Sequence, residues 1–272
     1  MKELIVTADD FGYSRNVNRA ILKCFKEGIV TSTSLLANTK YFEESVKLLK
    51  SNKSLDVGIH INLTEFRPLT KAKTFTDRNG NFIGKAKWFN GYYKNAGKNE
   101  IEKEINAQIA VVISSGLKIT HLNGHNHIHM LPNIFDIAIS LAKKYRIKYF
   151  RLPYEAALSK EAIRAYAKAR IKNAPAKLRA RNKLAKNRLK SADAFYGGLC
   201  MKNMDYGKLA MIFNSIKGGT SELMVHPAFA DKDGDTFHRS KQRETETELL
   251  TNKKVKLLIE KQNIKLTNFS QI

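Results

Sequence analysis

Short apolar runs alternate with amphipathic segments along the whole chain. The first run, from Leu4 to Ala8, is closed by Asp9-Asp10-Phe11-Gly12, which predicts a strand buried on both faces and ending in a turn. Similar runs predict strands at residues 31–37, 55–63, 118–123, 147–152, 221–226 and 264–267. The pattern therefore predicts a sheet that is built from the full length of the chain.

Apolar residues at helical spacing occupy the segments between these strands. Ser14 or Asn16 could cap the first helix. Further helices are predicted at residues 41–50, 100–115, 134–145, 206–216 and 243–261, the last as one helix or two. Because strands alternate with helices, we expect one α/β domain over residues 1–272 with a mostly parallel sheet, open or closed into a barrel.

Two stretches depart from this alternation. Residues 64–99 are polar and rich in Gly and Lys, and they are too long for an ordinary connection, which indicates a lid or substrate loop. Residues 159–190 are helical by composition, with Pro175 as a break or kink. Both are expected to be additions to the barrel domain.

The formal net charge of +23 favours anionic binding partners. Twelve basic residues and one acid, Glu161, lie between Lys160 and Lys190, which favours contact with an anionic membrane or an acidic glycan. A solvated basic face without a ligand is the alternative. Nucleic-acid binding is disfavoured because the stretch contains a single aromatic residue, Tyr166, for stacking on bases.

The cysteines and the hydropathy of the chain give an expectation for the cellular compartment of the protein. Cys24 and Cys200 lack metal-site spacing and are expected to be separate thiols. The first ten residues do not resemble a signal peptide, and the sequence has no apolar run long enough for a membrane span. We therefore expect a cytoplasmic protein, with peripheral membrane contact as an option and the number of subunits open, a homodimer included.

The histidines are concentrated where the predicted strands end. Six of the seven lie in segments around His60, around His121 to His129, and at His226, and only His238 lies elsewhere. The carboxyl ends of parallel strands gather at one edge of a sheet, where such folds carry their chemistry. The distribution therefore predicts a metal or proton-transfer site at that edge.

The paired acids of the first strand suit a division of roles. Successive side chains of a strand point to opposite sides, so one carboxylate could bind a metal while its neighbour acts as a base. A turn with a helix cap would explain the same two residues. The histidines favour the metal interpretation.

The cluster His121-Leu-Asn-Gly-His125-Asn-His127-Ile-His129 holds more imidazoles than one centre needs. In an extended chain His125, His127 and His129 would all point the same way. A catalytic centre usually takes three protein ligands, so we expect one ligand here, with the other histidines orienting it, binding substrate or packing. A surface tract that binds metal adventitiously is the alternative.

Four motifs together resemble the YdjC-like carbohydrate deacetylases. They are Thr7-Ala-Asp-Asp-Phe-Gly12, His60-Ile-Asn-Leu-Thr64, His121 to Met130, and Val225-His-Pro-Ala-Phe229. Ile29-Val-Thr-Ser-Thr33 and Phe195-Tyr-Gly197 resemble the family as well. The resemblance implies an irregular, TIM-barrel-like (β/α) barrel related to polysaccharide deacetylases.

The resemblance also implies an activity and the residues that perform it. The N-acetyl group of an amino sugar would be hydrolysed with a divalent metal bound by Asp10, His60 and His125. Asp9 would be the general base and His226 the acid that protonates the leaving nitrogen. The family resemblance implies Mg²⁺, whereas two imidazole ligands also suit Zn²⁺ or another transition metal.

One motif departs from the family pattern. Where the family usually has Asp-Ser-His-His-His, this chain has Asn123-Gly-His125-Asn-His127, which keeps the ligand and changes its surroundings. The departure bears on the identity of the sugar. A hydrolase of another ester, amide or phosphoester is the alternative, although Gly12 and Gly124 alone give little indication of a phosphate site.

Overall fold

A sheet of parallel strands forms the centre of the structure, a computed structural model that describes residues 1–156, 175–198, 200, 203–230 and 237–272. Within these residues the strands are β1 (Lys2–Phe11), β2 (Ser32–Leu35), β3 (Asp56–Ile61), β4 (Ile119–Gly124), β5 (Tyr149–Phe150), β6 (Ala194–Tyr196), β7 (Gly219–Val225) and β8 (Ile264–Thr267). Their order is β5-β4-β3-β2-β1-β7-β6, and β8 pairs with β1. All of the pairings are parallel, as predicted.

The sheet curls so that its two outer strands approach each other. Isolated parallel bridges join Tyr149 to Lys190 and Glu155 to Phe195, which links the β5 side of the sheet to the β6 side. The prediction of an irregular (β/α) barrel is confirmed. Curling brings the carboxyl ends of distant strands around one cavity.

Helices connect the strands where the apolar spacing predicted them, and one further short helix, Lys85–Phe89, lies within the 64–99 stretch and was not predicted. They are α1 (Arg15–Glu27), α2 (Phe42–Ser51), α3 (Lys85–Phe89), α4 (Lys98–Ser114), α5 (Ile134–Lys144), α6 (175–186), α7 (Tyr206–Ser215), α8 (Lys241–Thr251) and α9 (Lys253–Lys261). The hydroxyl of Ser14 accepts a hydrogen bond from the Val17 N–H, so Ser14 caps α1. No helix of the described residues is long and apolar enough to cross a membrane.

Residues 64–99 form a packed excursion beside the barrel. Phe75, Phe82 and Trp88 are buried in it, and the Trp88 indole N–H donates to the Leu63 carbonyl at 2.7 Å. The excursion therefore has an apolar core that is continuous with the barrel. Its action as a lid over a substrate stays a prediction.

Three other sequence predictions need comment. The strand predicted over 147–152 is shortened to β5, and the three-residue strand β6 was missed because so short a run has no clear period. Half of the predicted basic helix, residues 159–174, lies outside the described residues, and 175–186 are helical. Cys24 and Cys200 are both buried free thiols, as predicted.

The amino-terminal end of the barrel is filled by an aromatic side chain from the segment after β8. Phe269 stacks on His121 with ring centroids 4.2 Å apart and packs against Ile5 and Tyr149. This packing closes the barrel at the end opposite to the carboxyl ends of the strands.

Candidate metal and catalytic site

The paired acids lie at the carboxyl end of β1, and both interact with His60. Asp10 has a φ of 70°, a left-handed conformation that side chains other than glycine rarely adopt. The pairing of β1 with β2 also shifts between Ala8 and Phe11. These two irregularities break the alternation of a regular strand, so the prediction that Asp9 and Asp10 point to opposite sides was wrong.

Asp10 is the centre of a buried carboxylate–imidazole group. Its Oδ1 lies 3.2 Å from His60 Nε2 and 2.7 Å from His125 Nδ1. Each of these three residues offers a ligand atom, and the three atoms lie within 4.8 Å of one another. The structure thus brings together the three predicted ligands, which come from β1, from β3 and from the residue after β4.

Electrostatics make this group attractive to a cation. Burial alone would raise the pKa of Asp10, but the neighbouring His125 and hydrogen bonds from the imidazoles hold it well below its usual range. Burial would lower the pKa of His125, and the Asp10 and Glu65 carboxylates instead raise it to about 10. The carboxylates therefore favour positive charge at this position.

The orientation of His60 fits metal binding. Its Nδ1 lies 2.6 Å from Asn123 Oδ1 and 3.0 Å from Ser34 Oγ. The amide oxygen can only accept, so His60 Nδ1 carries a hydrogen, and Nε2, the atom that faces Asp10, is the one that could bind a cation. Metal-ligating histidines are usually held in this way by a partner on the second ring nitrogen. The donor set and its support therefore fit a divalent cation.

Asp9 lies in a different environment from its neighbour. The Arg151 guanidinium donates to both of its oxygens, at 2.9 Å from Nη2 to Oδ1, and Asn123 and Ser34 donate to Oδ1 as well. Burial alone would raise the pKa of Asp9, and the charge of Arg151 holds it well below its usual range. Asp9 is consequently ionised and is not one of the three grouped ligands.

Arg151 is a site residue that the sequence reasoning missed. It is 2% exposed and also donates from Nε to Glu222 Oε1 at 2.8 Å. Its guanidinium thus joins the carboxylates of Asp9 and Glu222. An arginine at the end of an apolar strand, directly after Tyr149-Phe150, was the signal available in the sequence.

His226 follows β7 and lies close enough to Asp10 and Asp9 for their charges to act on its ring. Its backbone N–H donates to Glu246 Oε1 at 2.8 Å, while its ring Nδ1 is buried and has no hydrogen-bond partner among the described residues. Burial lowers the pKa of His226 to about 3, although the Asp10 and Asp9 carboxylates oppose the shift. The ring is therefore neutral at rest and does not titrate near neutrality, as the sequence reasoning had assumed for an acid.

The histidine cluster does not run as an extended strand. Residues His125–Met130 form a 3₁₀ turn in which Asn126 and His127 have left-handed φ values of 53° and 56°. The prediction that His125, His127 and His129 point the same way was therefore wrong. His125 reaches Asp10, whereas His129 lies 3.1 Å from the Arg151 carbonyl through Nε2.

His238, the one histidine outside the predicted strand ends, also enters the site. Its Nε2 lies 3.2 Å from Asp10 Oδ2, and its ring stacks on Tyr13 with centroids 3.7 Å apart. Tyr13 in turn donates to Glu65 Oε2 at 3.0 Å. No strand-end pattern marks His238, because it lies in a turn just before α8.

A cavity of about 380 Å³ adjoins this group of residues. Tyr13 contributes to both, since it also lines the cavity. The other lining residues include Asn38, Lys40, Tyr41, Phe66 and Arg67. The cavity thus combines aromatic faces with polar and cationic groups next to the buried acids.

The fold and the site together define a class: an irregular (β/α) barrel with a carboxylate and two imidazoles that could hold a metal at the carboxyl ends of its strands. The family model described as YdjC-like protein matches residues 3–261. The chain belongs to this family, as its motifs indicated.

Similar proteins cover the chain almost completely. A carbohydrate deacetylase of Thermoanaerobacter pseudethanolicus is 33% identical over 99% of both chains. A chitooligosaccharide deacetylase of Yersinia enterocolitica is 31% identical over 99% of this chain and 98% of its own. A solved structure from Enterococcus faecalis V583, named for a suspected role in cellobiose-phosphate cleavage, is 25% identical, with a TM-score of 0.79 over 99% of this chain and 98% of its own.

Proposed function

We propose that this protein hydrolyses the N-acetyl group of an N-acetylated amino sugar or oligosaccharide. The observation that carries the proposal is the convergence of Asp10, His60 and His125 beside a separate ionised acid, Asp9, in a relative of carbohydrate deacetylases. An amide is a poor electrophile and water a poor nucleophile, so both need assistance. The site offers groups for each need.

Asp10, His60 and His125 would hold a divalent cation. When bound, the cation would supply a Lewis acid that polarises the acetyl carbonyl and acidifies water. One carboxylate and two imidazoles suit Zn²⁺, Co²⁺ or Ni²⁺, and the family resemblance favours Mg²⁺. The Asn123 amide would keep His60 oriented with its Nε2 toward the cation.

Asp9 would accept the proton from the attacking water. Its pairing with Arg151 keeps it ionised, so the carboxylate carries no proton when the water arrives. Arg151 also holds both carboxylate oxygens in place. The same arginine is shared with Glu222, which lessens the cost of burying its charge.

His226 would protonate the leaving nitrogen. Because its pKa is about 3 at rest, it must gain its proton during the reaction, and the source would be the proton that Asp9 takes from the attacking water. Negative charge that develops on the substrate would favour the imidazolium, since opposite charges raise the pKa of a histidine. The buried Nδ1 has no hydrogen-bond partner in the described part of the chain, which leaves the ring free of a competing acceptor from those residues at that atom.

The sugar would lie in the adjoining cavity. Tyr13, Tyr41 and Phe66 offer faces for the apolar side of a sugar ring, and Asn38 offers an amide for hydroxyl groups. Tyr13 lines the cavity and also stacks on His238, whose Nε2 lies 3.2 Å from Asp10 Oδ2, so a sugar bound there would lie beside the proposed metal site.

Acetate release tests the proposal. Protein stripped of metal should regain activity on N-acetylated sugars when Mg²⁺, Zn²⁺, Co²⁺ or Ni²⁺ is added, with the panel of sugars identifying the substrate. Asp10→Asn should lose both metal retention and acetate release. Full acetate release by the stripped protein, or no release from any N-acetylated sugar with any of these metals, would refute the proposed function.

A further inference from the structure

The outer oxygen of the Asp10 carboxylate has its own histidine. His60 and His125 both approach Oδ1, whereas His238 Nε2 lies 3.2 Å from Oδ2. His238 is 2% exposed and is not a member of the group whose ligand atoms lie within 4.8 Å of one another. It therefore contacts the carboxylate from the side that the other two histidines leave open.

The close approach fixes which atom of His238 carries a hydrogen. A carboxylate oxygen accepts hydrogen bonds, and His238 Nε2 lies 3.2 Å from Asp10 Oδ2. A lone pair on Nε2 would repel the negative oxygen at 3.2 Å, so the contact is favourable when Nε2–H donates. The carboxylate then has one oxygen directed at the two ligand histidines and one engaged by a donor.

The other side of the His238 ring is held by a continuous set of contacts. The ring stacks on Tyr13, the Tyr13 hydroxyl donates to Glu65 Oε2, and Glu65 Oε1 lies 3.2 Å from His125 Nε2. His125 Nδ1 returns to Asp10 Oδ1 at 2.7 Å. These contacts form a closed circuit around the proposed metal position, and His238 is its link to Asp10.

We propose that His238 is a positioning residue of the metal centre, which donates from Nε2 to Asp10 Oδ2 and holds Oδ1 toward the cation without being a ligand itself. The proposal rests on the metal site of the proposed function. Partners that orient a ligand typically account for a 10- to 100-fold difference in metal affinity. His238 should have an effect of that size.

Two substitutions separate the hydrogen bond from the stacking. His238→Phe keeps an aromatic ring against Tyr13 and removes the donor, whereas His238→Gln keeps an N–H donor near Nε2 and removes the ring. His121→Gln is the matched control, because His121 is also a buried imidazole stacked on an aromatic ring, Phe269, away from Asp10. Thermal melts would verify that each variant is folded at the temperature of the binding measurement.

Co²⁺ is the probe, because its visible absorption reports the ligands while titration against a chelator gives the affinity. We expect His238→Phe to bind Co²⁺ about 10- to 100-fold more weakly with an unchanged spectrum, and His238→Gln and His121→Gln to stay within a few-fold of the wild type. The positioning role would be overturned if His238→Phe bound Co²⁺ with wild-type affinity or showed an altered spectrum. It would also be overturned if the Phe and Gln variants lost Co²⁺ affinity equally. Failure of the wild type to bind Co²⁺ would instead refute the metal site itself.

Discussion

Two neighbouring aspartates of β1 have different partners although they share one peptide bond. Asp10 is surrounded by imidazoles, and Asp9 is held by a guanidinium, an amide and a hydroxyl. The left-handed backbone at Asp10 allows both carboxylates to interact with His60. Such conformations are costly and persist where the surrounding structure enforces them, which is common at functional sites.

Asp9→Asn should separate the two roles. We expect metal retention close to that of the wild type and a loss of turnover of roughly a hundredfold or more, because the amide cannot accept the proton from water. Glu222→Gln is the matched control, since it alters the other carboxylate on Arg151 and should lose much less turnover. Metal content and acetate release are the measurements. Loss of metal from Asp9→Asn equal to that from Asp10→Asn would contradict the division.

His226 should make the protein less stable in acid. The pKa of His226 is about 3 in the folded chain and about 6.5 when unfolded, so the unfolded state binds more protons between these values. Stability therefore falls as the pH drops below about 6.5. Between pH 7 and pH 4.5 this group should account for about 2 kcal/mol. Urea unfolding of His226→Asn should show a pH dependence smaller by that amount, and an unchanged dependence would contradict the assigned pKa.

The site residues that the sequence could predict lie at the ends of strands. The meeting of Asp10, His60 and His125 was predictable because residues at the ends of parallel strands share one edge of the sheet, whereas their choice as ligands followed from the family resemblance. His238 was not, since its turn reaches Asp10 through tertiary packing that leaves no periodic signal. The direction of His127 was mispredicted because left-handed backbone at non-glycine residues depends on its surroundings.

Among the elements, the short strand β6 depends on a glycine that the sequence motif only hinted at. Gly197 follows β6 with a φ of 111°, and a Cβ added there would lie 2.3 Å from the Met224 carbonyl oxygen of β7. Its N–H donates to Glu155, next to the bridge that links the β5 and β6 sides. The close approach of two backbones therefore explains why the Phe195-Tyr-Gly197 motif ends in a glycine.

Gly197→Ala should destabilise the protein by roughly 3 kcal/mol or more, from a left-handed backbone and a steric clash together. Gly80→Ala is the matched control, because Gly80 also has a positive φ, 79°, and nothing lies within 4 Å of the added carbon. It should cost only about 1 kcal/mol. Urea unfolding measures both, and equal costs would show that the Met224 contact is easily relaxed.

At the scale of the whole molecule, the two ends of the barrel have different contents. The carboxyl ends of the strands hold the acids and imidazoles, while the opposite end is filled by Phe269, which is 4% exposed. Alternation of strands and helices predicted the barrel, because that pattern allows few other arrangements. It could not predict this aromatic closure, which depends on how the segment after β8 turns back.

Phe269→Ala should cost about 3–5 kcal/mol of unfolding free energy, the usual range for a buried phenylalanine. Leu257→Ala, on a side chain that is 61% exposed, should change it by less than about 0.5 kcal/mol. Chemical unfolding tests the pair. If both variants were equally stable, Phe269 would not be part of the core.

Contact of the basic segment, residues 159–190, with an anionic membrane or an acidic glycan stays a prediction. In its described part Leu184 and Leu189 are buried, so these apolar residues face the barrel. Arg181 donates to the Asp193 carbonyl and Lys183 pairs with Asp136. If the segment contacts anionic lipid, replacing the exposed Arg179 and Lys186 by Gln should weaken sedimentation with anionic vesicles by about tenfold or more at low salt. Equal sedimentation with anionic and neutral vesicles would refute the predicted membrane contact.

Because Asp9 and Asp10 are adjacent in the chain, they would stay together when heat loosens the barrel. Consecutive Cα atoms are always about 3.8 Å apart, so the two acids remain neighbours even in a loosened barrel. The imidazoles of His60, His125 and His238 arrive from separate segments and can drift away independently. Loosening of the barrel would therefore separate the histidines from the acids, although it could not separate the two acids from each other.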